Sequence, residues 1–140
     1  IGAAYANPGK QVICFSGDGS ILMNIQELAT LAELNLNIKI ALINNGQLGL
    51  VRQQQELFYN GNYMASKFSL SPDFAGIAGR FGIESIDVPQ SAHGTFSFGK
   101  IIKREGPLLL NLQVNTDYNV YPMVPPGEEN IKMLNEAVCK

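Results

Sequence analysis

Four short, mostly apolar segments constrain the fold of this chain more than any other feature. Their length and composition predict β-strands at Gln11–Phe15, Ile38–Ile43, Ile83–Val88 and Pro107–Val114. Strands that are apolar along their whole length are usually buried on both faces, as in a parallel sheet covered by helices. Because helical segments alternate with these strands, we expect an α/β fold with a three-layer, doubly wound, mostly parallel sheet.

The segments between the predicted strands carry helix signals. Apolar residues recur at helical spacing from about Ser20 to Asn35, which predicts one amphipathic helix. Shorter helices are expected at Leu48–Gln55, from Ser71 to Gly82, at His93–Arg104 and at Glu129–Val138, with a loop at residues 58–71.

The first nine residues have the pattern of a helix end followed by the Pro8-Gly9 turn, and no methionine precedes them. We therefore expect a fragment of a longer chain, with a fold that lacks its N-terminal portion. Residues 1–127 are expected to form one domain and residues 128–140 a C-terminal tail helix.

Composition argues against several classes of partner. The net charge is −2 and no basic cluster is longer than Lys103-Arg104, so we expect no nucleic-acid binding. No apolar run approaches the roughly 20 residues that cross a bilayer, so we expect no membrane partner. Cys14 and Cys139 lie in very different settings. This pattern favours a reduced, cytoplasmic protein without a disulfide framework.

Two polar loops follow the first two predicted strands. The first is Gly17-Asp18-Gly19-Ser20 and the second is Asn44-Asn45-Gly46-Gln47. If the two strands are neighbours in a parallel sheet, both loops open at its carboxyl edge, where doubly wound folds bind ligands. The glycines allow close approach of the backbone, and the helix expected to begin near Ser20 offers free N–H groups and a positive dipole end to an anion.

The side chains of these loops favour a hard metal. A carboxylate and an amide oxygen form the oxygen-only type of site that suits Mg²⁺, an ion that commonly bridges carboxylates to phosphates. Without accompanying Cys or His ligands, zinc is disfavoured. A Gly-Asp-Gly turn or an Asn-Asn-Gly loop alone is usually only a turn. The two together, separated by a helix and a strand, predict a metal-bridged diphosphate site.

This pairing resembles the signature of thiamine diphosphate-dependent enzymes. Within them the chain resembles the C-terminal domain of the acetolactate synthase (acetohydroxyacid synthase) large catalytic subunit, and the similarity spans nearly the whole chain. Besides the two loops, the segments that carry it are Met23–Thr30, Leu48–Val51 and the Pro-rich tail Val120–Gly127.

The resemblance implies roles for individual residues. Asp18, the side chain of Asn45 and the backbone carbonyl of Gln47 would be ligands of Mg²⁺. Residues implied in binding thiamine diphosphate are Gly17, Asp18, Gly19, Ser20, Asn45, Gly46, Gln47, Leu48, Gly49 and Leu50. Enzymes of this family condense two pyruvates, or pyruvate and 2-oxobutyrate, to a 2-acetohydroxy acid with loss of CO₂, in branched-chain amino acid biosynthesis. The cofactor supplies the carbanion chemistry.

The resemblance also places parts of such an enzyme outside this chain. The glutamate that activates the cofactor lies in an N-terminal domain, across a dimer interface, so no catalytic residue is expected here and the fragment alone is expected to be inactive. FAD is expected to bind mainly in a middle domain. Expected partners of the parent are pyruvate as substrate, a second copy in a homodimer or higher oligomer, and a small regulatory subunit.

The substrate pocket is expected to include Val51 and Gln54. Many members of the family carry Trp where this chain has Gln54. This difference favours self-condensation of pyruvate over use of 2-oxobutyrate. Arg52 has two open interpretations, as an anion-binding group or as a member of an ordinary ion pair. Tyr118 and Tyr121 are expected to anchor the tail by packing.

Two alternative functions are left open by the sequence. The parent enzyme could be another family member, such as a pyruvate oxidase or an oxo-acid decarboxylase. The chain could also be a non-catalytic doubly wound domain that binds a nucleotide or a protein, because such folds host many functions.

Overall fold

The computed structural model describes residues 1–115 and 118–135. It contains a four-stranded parallel sheet in the order β1-β2-β4-β3. The strands are β1 (Val12–Gly17), β2 (Ile38–Asn44), β3 (Glu84–Val88) and β4 (Leu108–Gln113). All four predicted strands are confirmed, with ends that differ by one or two residues. The two longest apolar runs form the central strands β2 and β4, which are buried along nearly their whole length.

In the described residues, one α-helix precedes β1 and five more lie between the strands. They are α1 (Gly2–Tyr5), α2 (Asp18–Leu22), α3 (Glu27–Glu33), α4 (Gly49–Phe58), α5 (Phe74–Arg80) and α6 (Phe98–Ile102). Asp73 caps α5, since its Oδ1 accepts a 2.8 Å hydrogen bond from the backbone N–H of Gly76. Among the described residues, no helix has the length and apolar character that crossing a membrane requires.

The single amphipathic helix expected from Ser20 to Asn35 is wrong. It is divided into α2 and α3 by residues 23–26, where backbone bonds such as Asn24 N–H to the Ile21 oxygen, 3.1 Å, span three residues instead of four. Asn24 is a weak helix former, because asparagine side chains can compete with the helical backbone for hydrogen bonds. The apolar face survives the interruption, because Ile21 on α2 and Leu28 on α3 are both buried.

Helices cover both faces of the sheet, which confirms the three-layer α/β fold. On one face, residues of α1, α2, α3 and α5 pack with Ile40, Leu42 and Leu109. On the other face, Leu110 and Leu112 pack beneath α6 and the segment before it. That second layer covers β3 and β4 more completely than β1, an edge strand whose Phe15 side chain is 75% exposed.

Two predicted helices are wrong in extent. The helix expected at His93–Arg104 is reduced to α6, preceded by a 3₁₀ turn at Gln90–Ala92, because Gly94, in the segment between them, is a poor helix former. In the predicted tail helix, residues 128–135 hold only a 3₁₀ turn at Asn130–Lys132. Leu134 beyond it pairs with Met123 through two backbone hydrogen bonds. The remainder of that predicted helix, residues 136–140, lies outside the described residues.

Candidate functional site

The two polar loops lie side by side at the carboxyl edge of the sheet. The strands before them, β1 and β2, are parallel neighbours, with Gly17 in register with Ile43. The hypothesis that these strands are adjacent is therefore confirmed. Because parallel strands end at one edge, residues 17–20 and 44–47 share one surface of the domain.

The carboxylate of Asp18 joins the two loops. Its side chain is only 2% exposed. One oxygen, Oδ1, accepts the N–H of the adjacent Gly19 at 2.8 Å, while Oδ2 accepts the N–H groups of Gly46 at 2.7 Å and Gln47 at 3.2 Å. Gly46 presents its N–H from the left-handed region, φ +68°, which glycine enters without strain. Hydrogen bonds to a charged acceptor are the stronger class, so Asp18 holds the second loop against the first.

The orientation of the Asn45 amide bears on whether the space beside Asp18 suits a cation. One terminal amide atom of Asn45 lies 3.3 Å from Asp18 Oδ2 and 2.8 Å from the backbone oxygen of Gln47. If that atom is the nitrogen, it donates to both oxygens. If it is the oxygen, three oxygen atoms converge, which is the ligand type that Mg²⁺ prefers. The residues predicted as metal ligands are thus brought together, and their chemistry fits a divalent cation.

The described residues contain no second cluster of the side chains that commonly bind metals. In the ranges 1–115 and 118–135, no group of three His, Cys, Asp or Glu side chains is placed to hold a metal ion. A metal at Asp18 would therefore need amide and backbone oxygens to complete its ligand set.

A cleft of about 420 Å³ opens above the two loops. Nine of the ten residues predicted to bind the cofactor line it: Gly17, Asp18, Gly19, Ser20, Asn45, Gln47, Leu48, Gly49 and Leu50. The tenth, Gly46, is bound through its N–H to Asp18. Met23, Ile43 and Val51 also line the cleft. Sequence reasoning missed Met23 and Ile43 as site residues because their apolar side chains were assigned to a helix and a strand core.

Two glycines allow the loops to approach each other closely. A Cβ atom on Gly19 would overlap the Leu48 side chain, and one on Gly49 would lie 2.9 Å from the amide nitrogen of Asn45. A Cβ at either position would displace the end of a neighbouring side chain, that of Leu48 or that of Asn45. The positive dipole end expected at the start of α2 is weak, however. Helix α2 begins at Asp18 and has only five residues, so it offers free N–H groups but little macrodipole.

A chain of polar side chains supports the second loop from within the sheet. Asn44 Nδ2 donates to Asn111 Oδ1 at 3.0 Å, and Asn111 Nδ2 donates to Asp87 Oδ1 at 2.7 Å. At its other end, Asn44 Oδ1 accepts the N–H of Gly46 at 3.1 Å. Asn44 and Asn111 are buried. Sequence reasoning missed this chain, although a lone Asn inside the apolar run of β4 was a signal for it.

The residues predicted for the substrate pocket lie along α4. Val51 and Gln54 line a second cavity of about 540 Å³ together with Phe58, Tyr59 and Met64. Because Val51 lines both cavities, the second one adjoins the cleft above the loops. Arg52 forms an ion pair with Glu56, 2.7 Å from Nη1 to Oε2, so its ion-pair interpretation is the one the structure supports.

These features define a doubly wound α/β domain with a ligand cleft at the carboxyl edge of its sheet. Residues 1–112 match the family of the thiamine pyrophosphate enzyme, C-terminal TPP binding domain, where TPP is thiamine diphosphate under its older name. The chain therefore belongs to this family of thiamine diphosphate-binding domains.

Relatives of known name agree with this assignment. The acetolactate synthase isozyme 1 large subunit of Escherichia coli K12 is 48% identical over 136 residues, which are 97% of this chain and 24% of that subunit. The acetolactate synthase large subunit of Cyanidium caldarium is 44% identical over 135 residues, 96% of this chain and 23% of that subunit. This chain thus spans about a quarter of the length of these relatives.

A solved structure also resembles the fold. It is the thiamine diphosphate-dependent 4-hydroxybenzoylformate decarboxylase of Rhodococcus jostii RHA1, with a TM-score of 0.74 and 27% sequence identity. The superposition covers 84% of this chain and 22% of that chain. The fold predicted from the alternation of strands and helices is therefore shared with a thiamine diphosphate enzyme.

Proposed function

We propose that this chain is the cofactor-holding domain of an acetolactate synthase large subunit. The parent enzyme condenses two pyruvates, or pyruvate and 2-oxobutyrate, to a 2-acetohydroxy acid with release of CO₂. Relatives of that name, 38–48% identical across nearly the whole chain, support the choice of reaction. Membership of the thiamine diphosphate-binding family argues against the non-catalytic alternative.

One observation carries the cofactor assignment: Asp18, Asn45 and Gln47 place three oxygen-bearing groups within about hydrogen-bond distance at the floor of a cleft. We propose that these residues hold Mg²⁺, which would neutralise the charge of the cofactor's diphosphate. Gly19 and Ser20 would contact the diphosphate from the first loop. Residues 46–50 would line the remainder of the cofactor, which supplies the carbanion-stabilising chemistry when bound.

The residues of this chain would mainly bind, orient and exclude water. Asp18 keeps the loops at a fixed separation, which reduces the entropic cost of ordering them when a ligand binds. Leu48, Leu50 and Val51 give the cleft an apolar side, and such surface keeps water from reactive groups. Beside it, Val51 and Gln54 would contact the substrate that reacts second.

The remaining parts of the proposal rest on the family resemblance. We propose that the activating glutamate and the FAD site lie in other regions of the parent enzyme. We also propose that the parent is a cytoplasmic homodimer or higher oligomer that associates with a small regulatory subunit. Size-exclusion chromatography with light scattering would test the oligomeric state of the parent.

Product analysis tests the reaction. The full-length protein that carries this domain, supplied with thiamine diphosphate, Mg²⁺, FAD, pyruvate, inorganic phosphate and O₂, is expected to form acetolactate. Acetyl phosphate as the sole product would instead indicate an oxidase, and acetaldehyde a decarboxylase. Either result would overturn the proposed reaction while leaving the cofactor assignment intact.

Calorimetry tests the cofactor assignment separately. In the full-length protein, Asp18→Ala is expected to weaken Mg²⁺-dependent binding of thiamine diphosphate by at least about tenfold, since a metal ligand is lost. The matched control is Asp73→Ala, which removes an aspartate that caps α5 and does not line the cleft. If Asp18→Ala and Asp73→Ala bind the cofactor equally well, the assignment of Asp18 as a metal ligand is wrong.

A further inference from the structure

The glutamine in the middle of α4 binds the backbone of the segment that follows β4. Gln53 is only 2% exposed. Its Nε2 donates to the backbone oxygen of Val120 at 2.8 Å, and its Oε1 accepts the backbone N–H of Val120 at 3.0 Å. A primary amide carries both a donor and an acceptor, so one side chain satisfies both backbone groups of a residue. Gln53 thus makes with Val120 the two backbone hydrogen bonds that a neighbouring β-strand would make.

Neighbouring side chains reinforce this contact. Arg52 Nη2 donates to Asn119 Oδ1 at 2.5 Å, and Arg52 Nη1 donates to Glu56 Oε2 at 2.7 Å. Asn119 Nδ2 completes the triangle by donating to the same Glu56 oxygen at 3.3 Å. Consecutive residues of the tail are therefore bound by consecutive residues of α4.

Apolar packing does not hold residues 118–120, although it begins directly after them, at the half-buried Tyr121 and at Met123, which is 7% exposed. The Tyr118 side chain is 80% exposed and that of Val120 is 74% exposed, so the expectation that Tyr118 anchors the tail by packing is wrong. What fixes residues 118–120 is polar, and Gln53 supplies both of the hydrogen bonds to the backbone of Val120. The docked segment instead presents two large apolar side chains outward from α4.

Helix α4 also borders both cavities. Gly49, Leu50 and Val51 of its first turn line the cleft above the loops, and Gln54 lines the adjoining cavity. Gln53 lies four residues after Gly49, one helical turn along the same side of α4. The tail is therefore attached to the same rigid element that carries the residues proposed to contact the cofactor and the substrate.

From these contacts we infer that Gln53 is a positioning residue that holds the tail against α4 and so completes the substrate side of the site. The inference rests on the proposed function. The two loops are fixed by Asp18 independently of the tail, so release of the tail should leave binding of thiamine diphosphate largely unchanged. Binding of pyruvate should weaken instead, because only the fraction of molecules with a docked tail has the complete site.

The test uses two substitutions in the full-length holoenzyme. Gln53→Met keeps the length of the side chain and removes both hydrogen bonds. Gln53→Glu keeps the shape of the side chain. When the introduced group is an ionised carboxylate, it has no donor for the Val120 oxygen and places a second acceptor beside it. When protonated, the introduced carboxyl again has one donor and one acceptor, so docking should return as the pH falls. Because the site is buried, the pKa of the introduced carboxyl should lie above its usual value of about 4.3.

Hydrogen exchange at the amide of Val120 reports docking directly. Gln53→Met should lower its protection factor about tenfold at every pH, since two hydrogen bonds are lost. Gln53→Glu should match Gln53→Met near pH 8 and approach the wild type near pH 5. The matched control is Gln55→Glu, because Gln55 makes the same paired contact with the backbone of Met64, at 2.9 and 3.3 Å. It should expose Met64 and leave Val120 protected.

Steady-state kinetics separates positioning from stability. Gln53→Met should raise KM for pyruvate by the same factor by which the docked fraction falls in the exchange measurement, with kcat and the dissociation constant of thiamine diphosphate changed less than about twofold. Protection of Val120 that is unchanged in Gln53→Met would overturn the docking contact. An unchanged KM despite a released tail would overturn the positioning role. Failure of the proposed function would be seen in the wild-type product, and the exchange measurement would still decide the docking.

Discussion

The exchange of Asp18 for asparagine is the sharpest test of how the site is assembled. Asp18→Asn keeps the size and shape of the side chain and removes its charge. In the wild type, the two carboxylate oxygens accept three backbone N–H groups, from Gly19, Gly46 and Gln47. An amide has only one oxygen, so it can keep the pair of bonds at Oδ2 or the bond at Oδ1. The remaining N–H then faces an NH₂ group.

The size of the effect follows from these bonds. A hydrogen bond to a charged group contributes about 1.5–3 kcal/mol, whereas a neutral one contributes about 0.5–1.5 kcal/mol. The best orientation of the amide keeps the bonds to Gly46 and Gln47, each weakened by about 1 kcal/mol, and loses the bond to Gly19. Relief from burying a charge offsets part of the loss. We expect Asp18→Asn to lower the free energy of unfolding by about 3 kcal/mol.

Urea unfolding followed by circular dichroism measures this difference, since the chain contains no tryptophan. The matched control is Asp73→Asn, which makes the same chemical change at a carboxylate that accepts a single N–H, from Gly76. Asparagine caps helices about as well as aspartate, so the control should change stability by only a few tenths of a kcal/mol. If both substitutions have the same small effect, Asp18 does not hold the two loops together and the reasoning fails.

Three further predictions follow from individual contacts. Asn111→Leu leaves the buried Asn44 amide without its acceptor, so urea unfolding should show a loss of about 2 kcal/mol, and calorimetry on the parent should show weaker cofactor binding. An unchanged affinity would mean that Asn44 does not position the loop. Gln54→Trp in the parent adds apolar surface beside Val51, so 2-oxobutyrate should gain on pyruvate by about fourfold in a competition assay, the value of one buried CH₂. A constant product ratio would contradict the role of Gln54. Burial lowers the pKa of Lys39 from 10.5, against a smaller opposing effect of Glu84. The unfolded chain therefore binds more protons between the lowered pKa and 10.5, and wild-type stability should rise with pH across that window relative to Lys39→Met. Parallel pH profiles in urea unfolding would contradict this.

The strands and the site loops were predictable because their signals are local. An apolar run of strand length identifies β2 and β4, and polar residues directly after a parallel strand lie at its carboxyl edge whatever the rest of the chain does. The helices were less predictable where the sequence favours continuation and interruption of a helix about equally. The division between α2 and α3 depends on three-residue hydrogen bonds around Asn24, and the apolar spacing of the segment is the same with or without them.

The contacts that complete the site could not be predicted from spacing. Gln53 and Val120 are 67 residues apart, and Asn44 and Asn111 are separated by the same distance along the chain. In each case, the partner is determined by where a later strand or the tail returns to the sheet. Sequence patterns indicate whether a side chain is buried or exposed. A polar side chain at a buried position must have a hydrogen-bond partner, but the pattern does not identify that partner.

An amide at position 45 would suit the proposed metal site in both its empty state and its cation-bound state. With its nitrogen toward Asp18 Oδ2 and the Gln47 oxygen, Asn45 satisfies both acceptors and the protein needs no ion. Rotation of the amide by half a turn presents its oxygen at the same place, and a cation would then balance three converging oxygens. A carboxylate at this position would repel Asp18 whenever the cation is absent. Because Asp18 already holds Gly46 and Gln47, this rotation is a small local change, and the remainder of the site is arranged in advance.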